Sequence, residues 1–280
     1  MTFNRQYSIV NSQLSILLAF LRRDILNEIS YKLSFFLQLL AIFPVVLMFF
    51  FLSRLVGTTI SGPLEPYGGN YFPFVLIGIA VQNYLTLSLS RFSGSLRESQ
   101  LSGTLEAVLV TPVRLPSFLI GSTAYSFVFN ALRIFIYLAI GSLLFHVNFN
   151  WARLPAAIGV IGLTIAAFSC LGIFSASFIM LFKRGDPINW GFNVISWLLG
   201  GVYYPVNILP LWLQKVAYVI PMTHSLEALR LILLTDHRFS GLLDHLLVLG
   251  LWGAIGLPAS LLCFRYALNR ARIQGTLGHY

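Results

Sequence analysis

The sequence predicts an all-α, polytopic membrane protein with six transmembrane helices, and two observations carry that expectation. Hydrophobic residues make up 57% of the 280-residue chain and charged residues only 10%, with a mean hydropathy of +0.81. A soluble domain carries roughly 25% charged residues because its surface must face water. The 18 Lys and Arg and 9 Asp and Glu present here are too few to coat a globule of this size. Lipid must therefore solvate most of the surface. The second observation is that apolar stretches long enough to cross about 30 Å of hydrocarbon, which takes roughly 20 helical residues, recur along the chain. Disorder, collagen-like repeats and a small disulfide scaffold are excluded on the same grounds.

The elements follow in order. Residues 1–32 form an N-terminal segment in which Leu14, Leu17, Leu18, Leu21 and Ile25 share one helical stripe that Arg22, Asp24 and Glu28 avoid. This pattern predicts an amphipathic helix lying in the membrane interface. Its apolar stretch ends in Arg22-Arg23-Asp24 with no small-residue cleavage site, which argues against a signal peptide. Residues 33–280 form the six-helix domain. The spans expected are Leu33 to Ser53, Tyr71 to Leu89, Ser117 to Phe145 (broken only by Arg133) and Leu154 to Phe182. A fifth starts near Ile188 and loses helical character around Gly200-Gly201 and Pro205, and the last runs from Leu246 to Phe264. Cys170 and Cys263 fall inside spans and read as small apolar packing residues.

Loop charges set the orientation. One side holds Arg5, Arg22, Arg23, Lys32, Arg91, Arg97, Arg114, Lys183, Arg184, Arg265, Arg270 and Arg272. The other holds only Arg54, Arg153, Lys215, Arg230 and Arg238. Twelve against five places both termini in the cytoplasm. The net charge of +9 is then mostly a topology signal and an attraction to anionic membrane lipids, with no basic patch suited to nucleic acid.

Chemistry-bearing motifs are missing. Gly-Lys never occurs, so there is no phosphate-binding P-loop, and neither H-E-x-x-H, G-x-S-x-G nor C-x-x-C is present. No catalytic residue and no metal site are expected. The pairs Asp236-His237 and Asp244-His245 read as an interfacial polar cap on a helix entering the membrane. The cytoplasmic loop 91–116 has more pattern. From Ser95 to Val110 it reads as a helix stopped at Thr111-Pro112, with Leu101, Leu105, Val108 and Leu109 on one face and Glu98, Ser102 and Glu106 on the other. Such a helix suits the docking of a partner with basic groups.

The run Arg97-Glu98-Ser99-Gln100-Leu101-Ser102-Gly103-Thr104-Leu105-Glu106, followed by Thr111-Pro112-Val113-Arg114, resembles the R-E-x-x-x-G-T-L-E-x-x-x-x-T-P signature of ABC-2-type transporter permeases. A second stretch, Gly200-Gly201-Val202-Tyr203-Tyr204-Pro205 through Leu209-Pro210-Leu211-Trp212-Leu213-Gln214 to Ile220-Pro221-Met222-Thr223-His224-Ser225-Leu226-Glu227-Ala228-Leu229-Arg230, is similar to the family's Gly, Pro and aromatic region before the last span. The resemblance implies the membrane subunit of an ABC exporter in the plasma (inner) membrane, paired as a homodimer or heterodimer with a second permease. ATP and Mg would be bound by separate ABC ATPase subunits, with no cofactor in this chain. It implies that Arg97, Glu98, Ser102, Gly103, Thr104, Leu105, Glu106 and Pro112 belong to the coupling helix that docks on the ATPase. It also implies short outer re-entrant helices over 205–236, with Gly201, Pro205, Pro210, Trp212, Pro221 and Glu227 at an outer gate. The prolines agree, since each interrupts a helix, and irregular backbone at membrane depth survives only inside protein or beside a water-filled cavity.

Four polar residues in the spans, Gln82, Asn83, Arg133 and Asn193, are candidates for the path, read against interhelical hydrogen bonding for the amides and snorkelling or bundle packing for Arg133. The alternative function is an ion-coupled secondary transporter. Against it, all nine acids are expected in loops or near span ends, and no inverted repeat is evident. A third reading, an intramembrane enzyme, would have only the two Asp-His pairs to work with.

Overall fold

The computed structural model describes residues 19, 22–23, 25–26, 32–57, 61–101, 115–182, 187–235 and 241–273. The described residues are almost wholly helical and contain no strand. Five helices are long and apolar enough to cross a membrane, and a sixth crossing arises if one sharply bent helix pair is counted as a span.

Span one is made of α1 (Lys32–Leu40) and α2 (Ile42–Val56), separated by a turn at Ala41. Pro44 accounts for the break, because its ring crowds the carbonyl four residues earlier and it has no N–H to give. A short helix, α3 (Ser61–Leu64), and a tight turn over Glu65–Tyr67 lead into span two, α4 (Tyr71–Leu101). At 31 residues α4 is about 46 Å long, more than a bilayer core needs. It continues unbroken through Ser95 to Leu101. The expected separate helix beginning at Ser95 is therefore corrected: residues 95–101 are the end of span two, and 102–114 lie outside the described residues.

Span three is α5 (Leu115–Phe145) and span four α6 (Leu154–Phe182). The next helix, α7 (Pro187–Leu199), has 13 residues and reaches about 20 Å, too short to cross alone. After it come a non-helical stretch, α8 (Leu211–Ala217) and α9 (Pro221–Leu234), the last two bent against each other by 88°. The final span runs through α10 (Leu242–Leu251), a π-helical turn at Trp252–Gly256 and α11 (Leu257–Ile273).

Span two sits at the centre, with 71% of its apolar window buried against 11% for the first and last spans. Leu76, Tyr84 and Leu85 of α4 meet Phe168 and its neighbours on α6 in one continuous core, while Phe74 packs with Leu64 and Tyr67 in a smaller cluster. Large apolar side chains such as Met48, Phe51, Leu55, Leu143 and Leu262 remain exposed, as they do when lipid is the solvent. The last span lies close along α6 because Gly253 and Gly256 present no side chain there. A Cβ on Gly256 would stand 2.8 Å from the Cys170 Sγ. Cys170 is buried, its thiol directed to the Ala167 carbonyl, and Cys263 is likewise free. Within 1–31 only Ala19, Arg22, Arg23, Ile25 and Leu26 are described. All five are helical, and the rest of the expected amphipathic stripe lies outside the described residues.

Candidate functional site: a clamped re-entrant cover over a polar seam

Breaking a helix inside a membrane leaves carbonyls that no ladder serves, and each costs free energy unless a donor reaches it. The chain between α7 and α9 creates several such carbonyls, and the side chains that answer them define the site. Gly200 and Gly201 end α7, with Gly201 at φ +77°, a left-handed conformation that a side chain disfavours. The carbonyls of Gly201 and Val202 are then met by Arg230 from α9. Its Nη1 donates to Gly201 at 2.8 Å and its Nη2 to Val202 at 3.1 Å. Nε and Nη2 also donate to the Phe74 carbonyl in the first turn of span two, at 3.2 and 3.1 Å. The guanidinium lies 3.4 Å from the Phe74 ring centroid, and the residue is fully buried. One fork of donors thus ties span two, the end of α7 and α9 together, with a cation at the negative end of the α7 half-helix.

Gly78 makes the room. A Cβ there would fall 2.2 Å from the Val202 oxygen and 3.0 Å from Arg230 Nη2. One turn before Arg230, Glu227 accepts a 2.6 Å hydrogen bond from the Tyr67 hydroxyl, which ties the turn before span two to the same helix. Burial, and the Glu227 carboxylate beside it, push the Tyr67 phenol above its ordinary range, so it remains the donor.

The sharp corner between α8 and α9 is answered in the same way. Thr223 donates to the Ala217 carbonyl at 2.7 Å, His224 Nε2 meets the Tyr218 carbonyl at 2.7 Å, and Trp252 of the π-turn donates to Val219 at 3.2 Å. A carbonyl only accepts, so His224 Nε2 carries the proton and its Nδ1 faces His245 Nδ1 at 2.9 Å. Pro205 precedes the short turn Val206–Ile208, Pro210 precedes α8, and Pro221 is the first residue of α9. Trp212 is exposed on α8, away from the Arg230 clamp.

Below this cover, span two and α7 share a line of polar contacts. Gln82 donates toward Thr86 at 3.5 Å, and Thr86 donates to Asn193 Oδ1 at 2.6 Å. Asn193 donates to the Asn189 carbonyl, and the Asn189 amide donates to Ser93 at 3.3 Å. The Gln82 Oε1 atom is buried without a hydrogen-bond partner, while Thr86 stays exposed at the edge of the seam. Asn83 turns to span three, donating to the Tyr137 hydroxyl at 3.0 Å.

The sequence-derived candidates divide accordingly. Gly201 and Glu227 meet at the clamp, and Gln82 and Asn193 meet in the seam. Arg133 joins neither: its Nη2 donates to the Gln38 carbonyl at the span-one break, 3.0 Å away, and its guanidinium lies near Phe129. Arg97 and Glu98 are exposed on the last turns of α4, and Ser102, Gly103, Thr104, Leu105, Glu106 and Pro112 lie outside the described residues. Two expectations are corrected. Arg230, counted as an outer loop cation, is buried, and Glu227, expected in a loop or near a span end, is buried within α9, part of the bent pair that is either a broken span or a re-entrant loop. Glu227 is occupied by Tyr67 and lies one turn from Arg230, which ties it into the clamp. Among the described residues, no group of three or more His, Cys, Asp or Glu is placed to hold a metal. Asp236 and His237 lie outside them.

Two comparisons bear on this geometry. The sequence model of the ABC-2 type transporter family matches residues 66–234, a stretch that includes both the clamp and the seam. No curated protein matches the chain.

Proposed function

The chain belongs to the ABC-2 type transporter family and is a multi-pass membrane permease of an ABC-type transporter; from that premise we propose that it forms the export path for a lipid, glycan or amphipathic compound. Families of this kind work with a separate ABC ATPase, so this chain is the transport subunit and not itself the enzyme. ATP and Mg belong to that partner. The seam Gln82–Thr86–Asn193–Asn189–Ser93 is the observation that supports the path most strongly. Linked amides and hydroxyls, buried at Gln82, Ser93 and Asn189 and reaching the surface at Thr86, are at home beside a water-filled route or a second permease, and costly against lipid tails. The Arg230 clamp covers one end of that route, and the cover moves as a body because its corners are tied by side-chain hydrogen bonds.

At the other end, the loop after α4 is the handle. Arg97, Glu98 and the stretch Ser102, Gly103, Thr104, Leu105, Glu106 and Pro112 dock on the ATPase, and motion there passes along the unbroken 31-residue helix to Phe74 and the cover. Both termini lie in the cytoplasm, the membrane is the plasma (inner) membrane, and two permease copies or a copy and a relative complete the path. Exchanging charge at this handle tests the proposal. Glu98→Lys and Glu106→Lys should leave the complex assembled in detergent yet abolish the coupling of ATP hydrolysis to transport. Unchanged coupling in both variants would contradict the docking assignment. An ion-coupled mechanism would instead show transport driven by an ion gradient without ATP.

A further inference from the structure

At the end of the bundle where spans one and three finish and span two begins, a cavity of about 410 Å³ opens to the surface. That volume falls within the range of small-molecule sites. Its polar lining includes Arg54, Asn70, His146 and Asn148, all exposed, together with Ser53, Tyr67 and Tyr71, and among the described residues no carboxylate lines it. Its floor is aromatic: Phe50, Phe72 and Phe145 pack with ring centroids 4.4 to 5.3 Å apart. Arg54 is held over this floor, its guanidinium 5.2 Å from the Phe50 centroid.

His146 has an unusual place. At the end of span three the Val147 N–H bonds to the Gly141 carbonyl six residues back, and the residue just before Val147 stands in the left-handed region that often ends a helix. Glycine usually fills that position, yet here His146 does, at φ +54°. A side chain there carries a conformational cost. The helix end therefore gives up stability to keep an imidazole at the mouth of the cavity.

We propose that this cavity binds the phosphate-bearing headgroup of an anionic amphiphile. A guanidinium, an imidazole and two carboxamides around one opening supply donors with no acid among the described lining residues, which is the arrangement a phosphate recognises. The nearby Glu227 carboxylate is taken up by Tyr67. The aromatic floor, and the exposed Phe51 and Leu55 beside it, suit the apolar part of the same molecule. The site lies apart from the polar seam and does not depend on the transport reading.

Native mass spectrometry of the detergent-solubilised full chain, with phosphatidylglycerol or phosphatidylcholine added, tests it. Phosphatidylglycerol should be retained in preference to phosphatidylcholine, and Arg54→Gln should weaken that retention roughly tenfold. His146→Gly should weaken it as well while raising the thermal midpoint, a combination that a purely structural role does not give. Millimolar inorganic phosphate as competitor identifies the source: displacement of the lipid assigns the site to a soluble phosphate ester, and no displacement assigns it to the lipid. Equal retention of the two lipids by the native chain, or retention unchanged in both variants, would overturn the proposal.

Discussion

Arg230 illustrates how a single side chain can make a broken helix tolerable in a membrane. Its donors serve the carbonyls of Phe74, Gly201 and Val202. Arg230→Met removes those donors at similar volume and leaves the Gly201 and Val202 carbonyls without them, while the Phe74 carbonyl keeps its place in the helix ladder. At roughly 1 kcal/mol or more for each buried unsatisfied group, the loss should reach about 2 kcal/mol, read as a clear fall in thermal midpoint. Arg230→Lys should recover only part of it, because one ammonium on a flexible stem cannot reproduce a planar fork. Tyr67 offers a test with pH. Its native pKa lies above the ordinary value of about 10, so its contribution is complete below that value and is lost as pH rises beyond it. The thermal midpoint should stay level up to pH 9 and fall in more alkaline buffer. Tyr67→Phe should lower the midpoint at neutral pH, by about 1.5–3 kcal/mol in stability, and make the alkaline fall shallower. A variant as stable as the native chain would show that Glu227 does not need this donor.

At the scale of elements, the approach of span two to the Gly200–Val202 stretch depends on Gly78. Gly78→Ala places a Cβ against backbone, which has little freedom to move, and should cost about 2–3 kcal/mol. Gly94→Ala, on the same helix with open space around it, should instead stabilise by up to about 1 kcal/mol. If both changes proved equally mild, the close contact at Gly78 would not be what sets the helix spacing. The two glycines look alike in the sequence, and only the partner across the gap separates them.

That contrast marks what the sequence could disclose. Long apolar runs announce their helices, and spans one to four and six fall near where hydropathy places them. The end of α7 was readable too, since Gly200, Gly201 and Pro205 all oppose a helix. Arg230 was not. Its charge in a stretch rich in Pro and Gly reads as a loop cation, although the run from Ser225 to Leu234 shows Glu227 and Arg230 three residues apart in an otherwise apolar helix. That spacing was the signal available. The carbonyls that bind Arg230 come from residues 28, 29 and 156 positions away, and no local pattern reports such distant partners. The continuation of α4 through Ser95 was hidden for another reason: its polar end resembles the start of a new amphipathic helix.

For the whole molecule, the seam and the cover make separable claims. Thr86→Val removes the hydroxyl that joins span two to Asn193 at nearly constant shape. A hydrogen bond between membrane helices contributes only about 0.6–2 kcal/mol, so stability should change little while transport falls. Loss of stability without loss of transport would make the seam structural glue. The central claim is that this permease is the passive half of an ATP-driven machine, and it is tested most directly by purifying the full chain from its own membranes in mild detergent and measuring vanadate-sensitive ATP hydrolysis. The account expects a retained ABC ATPase whose hydrolysis continues in reconstituted vesicles but is no longer linked to transport in Glu106→Lys. A preparation without ATPase or hydrolysis, yet transporting along an ion gradient, would contradict it.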